Sequence, residues 1–312
     1  MRSRLVSRSR SGPSSKSALA EAASPPRRNR WLLFGASAAY LALILGVMLW
    51  RGIEIEPQWV VLALLLIAVA LGRGREFIQD WTPFLVLFLA YEVMRGFAAK
   101  TGFAPHDLSG LEKGLFGGQL PTLVLQHAFY HPAMIGLQDW VAMGFYFLHF
   151  PLPIAVGFLF WVNSREHYWR YIAALLLMAF LAFVTYLFWP SAPPWFQDHA
   201  VHKVLNETVS KWGVSYLQSP IYYSLDHFNP NQFAAFPSLH AALPALAAFY
   251  AWRRYRVLAL VLVVWTAGVW ASIVYLGEHY FVDALDGLLY TVLAAAAVEL
   301  VAARRVRLPR PS

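Results

Sequence analysis

Two stretches carry the residue types of nucleophilic and acid–base chemistry. His279 and Asp283 stand four apart in YLGEHYFVDALDG, residues 275–287. On a helix that spacing puts both side chains on one face, about 6 Å apart along the axis. The carboxylate can then accept a hydrogen bond from one imidazole nitrogen. That bond fixes the tautomer and leaves the other nitrogen to attack or to bind a metal. Taken alone, the same spacing equally describes an intrahelical polar pair at a helix start. His240 stands in AAFPSLHAAL, residues 234–243. Pro237 suits the first turn of a helix, where no amide partner is missed. The amides of Ser238, Leu239 and His240 would then point outward, and a helix start with open amides and a hydroxyl is an anion site. The bland alternative is an ordinary helix start with a serine in its first turn. Pro244 cannot donate to the carbonyl of His240, so the helix bends there or that carbonyl lacks its usual donor.

Together these pieces describe a phosphate site. A histidine with a carboxylate orienter can be a nucleophile, a second histidine can be a general acid, and helix-start amides with Arg95 can hold phosphoryl oxygens. A zinc site is the competing use of two His and one Asp. It gives the neighbouring anion donors no role, so no metal and no other cofactor is expected.

The elements that must position these groups follow from composition. The chain of 312 residues is 59% hydrophobic and 13% charged. Soluble domains are about 25% charged, so the pattern points to a membrane protein. With no cysteine there is no disulfide framework, thiolate nucleophile or cysteine metal site. Apolar runs approaching or exceeding spanning length occupy 31–50, 57–72, 81–99, 139–162, 168–189, 237–252, 256–276 and 280–302. Eight spans with both termini cytoplasmic put 19 of the 25 Lys and Arg on the cytoplasmic side, as the positive-inside rule requires. The net charge of +8 is thus a topology signal and not a nucleic-acid footprint. The expected fold is an all-α polytopic membrane protein of about eight transmembrane helices. Six, with the second and sixth segments in the interface, is the alternative.

The expected organisation is a disordered basic cytoplasmic tail at 1–30, two N-terminal transmembrane helices at 31–80, a membrane domain at 81–303 and a basic cytoplasmic tail at 304–312. A secretory signal is not expected, because the first apolar run is long and lacks a small-residue cleavage site. An Arg/Ser-rich transit peptide stays open. Residues 100–138 and 190–236 fall outside. A short interfacial helix is expected at 121–131, with Leu123, Val124 and Phe129 in lipid. The aromatic 190–236 loop is too long to be a mere connection.

Ionisable residues in spans are expensive and mark function. Here they are Glu92, Arg95, His149, His240, His279, Asp283, Asp286 and Glu299. Under this topology Arg95, His240, His279 and Asp283 gather at the outer face. Glu92 and Arg95, three apart, can pair. His149, beside Pro151 and Pro153, reads as bonded to a carbonyl released at a kink. Asp286, Ser272 and Tyr275 are candidates for a supporting shell. His106, Asp107, Glu112, His127 and His131 could contact a head group, but solvated loop polarity is the preferred reading.

Pro237-Ser238-Leu239-His240, followed by Ser272 and then His279-Tyr280-Phe281-Val282-Asp283, resembles the second and third motifs of the type-2 phosphatidic acid phosphatase superfamily. Common members read P-S-G-H and S-R-x5-H-x3-D there. PSLHAA, HYFVD, YEVMRG at 91–96 and SAPPWF at 191–196 resemble its inositol phosphorylceramide synthase branch. The resemblance spans roughly residues 85–300. It implies a superfamily-type helical core and phosphoryl transfer through a phosphohistidine. His279 would attack, Asp283 would orient it, and His240 would protonate the leaving oxygen and then act as base. Ser238, Leu239 and neighbouring amides would hold the phosphate, without metal. The sequence departs from the superfamily at Ile273, where an arginine is usual, and at Leu239, where glycine is. The first motif, K-x6-R-P, is absent as such. Arg95 and Lys113 are the outer-face cations nearest it in order, and Arg95 is the better match. The implied function is an inositolphosphotransferase-like membrane phosphotransferase. Its site would face the extracytoplasmic side of the plasma membrane, with a membrane phospholipid or lipid phosphate as donor and an alcohol or lipid alcohol as acceptor. The 190–236 loop could be its lid. A lipid phosphate phosphatase using water is the alternative. A non-catalytic lipid-binding protein on the same fold is the second, and the complete His279/Asp283/His240 set argues against it.

Overall fold

The computed structural model describes residues 35, 39–48, 57–211 and 231–307. The expected tail at 1–30, residues 308–312 and part of the long loop, 212–230, lie outside the described residues. The described chain is helical, and no β-strand forms in it. In chain order the helices are α1 (Ala39–Met48), α2 (Pro57–Ala70), α3 (Gly74–Ala98), α4 (Ser109–Leu115), α5 (Pro121–Phe129), α6 (Leu137–Phe147) and α7 (Pro151–Asn163). They continue with α8 (Arg165–Phe188), α9 (Pro194–Gln197), α10 (Val204–Lys211), α11 (Leu239–Ala251), α12 (Arg256–Tyr275) and α13 (Phe281–Arg307).

Among the described residues, α8, α12 and α13 are each long and apolar enough to cross a membrane. The pair α6 and α7 passes that test together, as one span bent by 45°. The bend falls at Leu148–Phe150, where Pro151 and Pro153 cannot donate to the preceding turn. Helix α3 begins at Gly74, seven residues before the apolar run that announces it, and carries Arg75, Glu76 and Asp80 in its first turns. Asp80 is buried because it has partners. It accepts from Trp161 Nε1 at 2.8 Å and pairs with Arg165. A membrane helix tolerates a carboxylate on those terms.

Along α3, Phe77, Trp81, Phe84, Phe88 and Tyr91 recur at alternating four and three residues, one helical stripe. All are buried: Phe77 packs on Phe158 and Trp161 of α7, Trp81 on Phe158 and on Tyr168 of α8, Phe88 on Phe150 and Tyr91 on Phe180 of α8, with Phe77 stacked on Trp81 at 4.9 Å. Lipid tails are as apolar as these rings, so close packing rather than water exclusion holds this contact.

Helix α11 is the centre of the bundle, packed on α12, α13, α8 and α7. Ala241, Ala242, Ala245, Ala247 and Ala248 are buried and let its neighbours approach. Gly287 of α13 lies where a Cβ would strike the carbonyl of Ser238. With 13 residues α11 rises about 20 Å, short of the roughly 30 Å hydrocarbon core. Trp270 Nε1 donates to Ala241 O at 3.3 Å, and Ala241 packs with Val269, Ile273 and Val274, so the start of α11 meets the last turns of α12.

Helices α4, α5 and α10 pack on the same end of the bundle. Gln126 of α5 is buried and donates to the carbonyls of His202 and Tyr275, both at 2.8 Å. The expected helix at 121–131 is present, with Val124 and Phe129 exposed. Leu123 instead packs against Leu108, Leu120 and Tyr280.

Candidate active site

The turn from α12 to α13 sets His279. Gly277 takes φ +82°, a conformation strained for other residues, and a Cβ there would meet His202 O at 2.7 Å. The amides of Glu278 and His279 both donate to Ile273 O, at 3.1 and 3.2 Å, which closes the turn. His279 precedes α13 rather than lying on it, unlike the helical pair that the spacing predicts. The contact forms nonetheless, with His279 Nδ1 3.3 Å from Asp283 Oδ2. That oxygen also accepts from Tyr280 N at 2.9 Å, so Asp283 caps its own helix while holding the imidazole.

Helix α11 brings the second histidine. His240 Nδ1 lies 3.1 Å from His279 Nε2. In the tautomer where His279 Nδ1–H donates to Asp283, Nε2 presents its lone pair and His240 Nδ1–H donates to it. Pro237 stands before the helix instead of in its first turn. Ser238 is the N-cap, its hydroxyl accepting from Ala241 N at 3.4 Å. Its own amide donates to Asp283 O at 3.0 Å, which ties the two helix starts together. The expected row of three open amides therefore reduces to those of Leu239 and His240, which have no acceptor within their helix. The Leu239 side chain packs into the core.

Two site features were not legible in the sequence. His149, in the α6–α7 break, bonds Tyr146 O through Nδ1 at 2.6 Å. That carbonyl lies in the last turn of α6 and also accepts from His149 N at 3.2 Å; it is not one of those that Pro151 and Pro153 release, Phe147 O and His149 O. Its ring also packs on His240, with centroids 4.0 Å apart, and Tyr146 stacks on His240 at 4.8 Å. The prolines signalled the break, but nothing signalled its direction. Glu112, read as solvated loop polarity, is fully buried. Its carboxylate accepts from Phe281 N at 2.9 Å and Val282 N at 3.1 Å, capping the helix that carries Asp283. Burial pushes its carboxyl above the usual range, and the two amide bonds offset part of that. Burial likewise raises Glu278, against the nearby Lys203 and His279.

The other expected residues are less closely joined. Arg95 pairs with Glu92 at 2.9 Å, as its spacing predicts, and lies within electrostatic reach of His149 and His240. Lys113 is half-exposed on α4 beside Glu112, and among the described residues no bond joins it to the histidines. Ser272 donates within its own helix to Gly268 O at 2.7 Å. Tyr275 donates to Asp139 Oδ1 and links α12 to α6. Asp286 is half-buried on α13. His106 stacks on Trp189 at 3.7 Å, and Asp107 caps Ser109 and accepts from Tyr280 OH at 3.3 Å. His127 and His131 are exposed. Glu299 pairs with Arg170 at 3.3 Å, away from the site.

A helical membrane bundle with two facing histidines and a buried aspartate defines a class. Residues 107–297 match the PAP2 superfamily model, and the chain belongs to that superfamily. Its relatives include the phosphoinositol dihydroceramide synthase of Bacteroides thetaiotaomicron, 34% identical over 200 residues, 59% of this chain and 64% of that one. Another is the inositol phosphorylceramide synthase catalytic subunit of Schizosaccharomyces pombe, 26% identical over 222 residues, 65% of this chain and 47% of that one. The chain thus spans less than two thirds of the length of either relative. No solved structure matches it.

Proposed function

We propose that this protein is a membrane-lipid phosphotransferase that moves a phosphoinositol-type head group onto a ceramide-like lipid alcohol through a phosphohistidine. The observation that carries this reading is the continuous chain Asp283 Oδ2, His279 Nδ1, His279 Nε2 and His240 Nδ1, with steps of 3.3 and 3.1 Å. Substrate phosphorus enters between the two rings. The Nε2 lone pair of His279 forms the P–N bond as the P–O bond to the donor's lipid alcohol breaks. His240, in its doubly protonated form, passes its Nδ1 proton to that leaving oxygen and keeps Nε2–H. In the second half His240 takes the acceptor's hydroxyl proton, the acceptor oxygen attacks phosphorus and the P–N bond breaks. Asp283 holds the His279 tautomer throughout. The amides of Leu239 and His240, at a helix start capped by Ser238, together with Arg95, bear the phosphoryl charge. Lys113 is the remaining candidate for it. His149 and Tyr146 hold the plane of His240.

The burial of Ser238, His279 and Asp283 supports transfer over hydrolysis, because a site shielded by its neighbours sheds water. The named activities of the two relatives support it too. The arginine distribution supports eight spans, both termini in the cytoplasm, a membrane domain at 81–303 and a site on the extracytoplasmic side of the plasma membrane. The test is purified full-length protein given phosphatidylinositol labelled in its head group, with and without dihydroceramide. A labelled product lipid that requires the ceramide is the expected result. Release of inositol phosphate at the same rate without acceptor would make water the acceptor and the protein a hydrolase, and release of inorganic phosphate from phosphatidic acid would make it a lipid phosphate phosphatase.

A further inference from the structure

A cavity of about 710 Å³ lies between α12 and α13. Both helices pack on α11 more than on one another, which leaves the space between them open. Its floor is Ala245 and Ala248 of α11, and Trp270 closes the end nearest the histidines. Phe249, Val263 and Leu288 on its sides are exposed, so it opens toward lipid. Thr266 spends its one hydroxyl proton on Leu262 O at 2.7 Å, so it offers a guest no donor. The far end is basic: Arg170, Arg253 and Arg254 line it, with Glu299. Arg170 is already paired with Glu166 and Glu299, at 2.6 and 3.3 Å. Among the described residues Arg253 and Arg254 form no ion pair.

We propose that this cavity is a second lipid site, distinct from the reaction centre, that takes an anionic phospholipid of the opposite leaflet. The phosphate rests on Arg253 and Arg254, and one acyl chain lies in the alanine-floored groove up to Trp270. Volume, apolar walls and lateral opening suit a chain. A basic pocket between spans at a membrane surface suits an anionic head group. The two arginines follow the last residue of α11 and the histidine pair begins it, about 20 Å apart, so a head group held here cannot reach His279.

The experiment uses full-length protein in lipid vesicles with tracer phosphatidylglycerol bearing a photoreactive group at the end of one chain. The matching phosphatidylcholine is the control. Phosphatidylglycerol should label peptides of α11–α13 about tenfold more than phosphatidylcholine does, and unlabelled phosphatidylglycerol should compete. Arg253→Gln with Arg254→Gln should bring its labelling down to the phosphatidylcholine level. Ala267→Phe, which fills the groove and leaves the arginines intact, should abolish labelling and so keeps the proposal testable if the double variant inserts poorly. Equal labelling by both lipids, unchanged by Ala267→Phe, would reduce the cavity to ordinary lipid contact. Displacement of the label by an unreactive substrate analogue would assign the cavity to the substrate's own chains. Either outcome overturns the proposal.

Discussion

Glu112 supplies the sharpest test of how the site is held. Its carboxylate accepts from the amides of Phe281 and Val282, the first residues of α13. Glu112→Ala leaves both amides buried without a partner. At about 1–3 kcal/mol each, the cost is about 2–6 kcal/mol. For a protein of this size that lowers the melting temperature by roughly 5–15 °C. Glu112→Gln keeps one acceptor oxygen and removes the charge. The raised carboxyl pKa says that burying this charge costs more than its two bonds return. The net cost of the Gln variant at neutral pH is therefore small, about 1 kcal/mol. The sign of the pH dependence follows. A carboxyl raised in the folded state binds more protons folded than unfolded, so its contribution is full below the ordinary value of 4.5 and is lost as pH rises through the raised one. Wild type should lose stability relative to Glu112→Gln across that interval and hold level above it.

The assay is a melt of solubilised protein by tryptophan fluorescence from pH 4 to pH 8, alongside product formation. The Ala variant should also lose turnover, on the order of 10²-fold, because a shift of about 1 Å at a reacting group costs that much. The Gln variant should retain most of it. If Gln proves as damaging as Ala at neutral pH, the charge itself is required and the reasoning from burial is wrong. If Ala is harmless, Glu112 does not hold the helix.

His279→Ala and His240→Ala should each abolish lipid product while the melt stays near wild type; near-normal turnover in either sinks the mechanism. Asp283→Asn should lower turnover by about 10²–10⁴-fold, since it disturbs the tautomer of His279 while keeping its volume. Chelator should leave turnover unchanged, and a loss restored by zinc would reassign the histidines to a metal. Arg95→Gln should cost about 10²–10³-fold, the worth of one donor to a developing oxyanion, whereas Glu92→Gln should not. A cysteine in place of exposed Met134 should react with an impermeant reagent on intact cells and one in place of exposed Arg75 only after lysis; the reverse pattern inverts the topology.

What was legible in the sequence was what is local. His279 and Asp283 are four residues apart, and their contact survives although the helix starts after the histidine. Helix positions followed from apolar runs, and where a run was interrupted the helix was missed. Arg75, Glu76 and Asp80 masked the first turns of α3; Arg75 is exposed and Glu76 pairs with Arg73, but the burial of Asp80 depends on Trp161 and Arg165, more than 80 residues away. The same holds for Glu112, whose amide partners lie 169 and 170 residues on. A buried carboxylate and a solvated one read alike until the fold supplies the donors.

Ile273 shows how such distant arrangement bears on charge. Where the superfamily usually carries an arginine, this side chain is fully buried with Ala241, Val269, Val274 and Ala284. Ala241 follows His240 and Ala284 follows Asp283, so position 273 still lies beneath the reacting groups. Its backbone keeps a positioning task, since Ile273 O anchors the amides of Glu278 and His279. Its side chain supplies no cation. In the proposed mechanism the phosphoryl charge then falls on the helix-start amides and on Arg95, which lies on α3 with Glu92 as its counter-ion. An anion on the amides would draw Arg95 away from Glu92, and the pair is only partly exposed, so the exchange is weakly screened. A cation held by a neighbouring acid until the anionic head group arrives suits a site that must admit a lipid from the membrane before it closes around the phosphate.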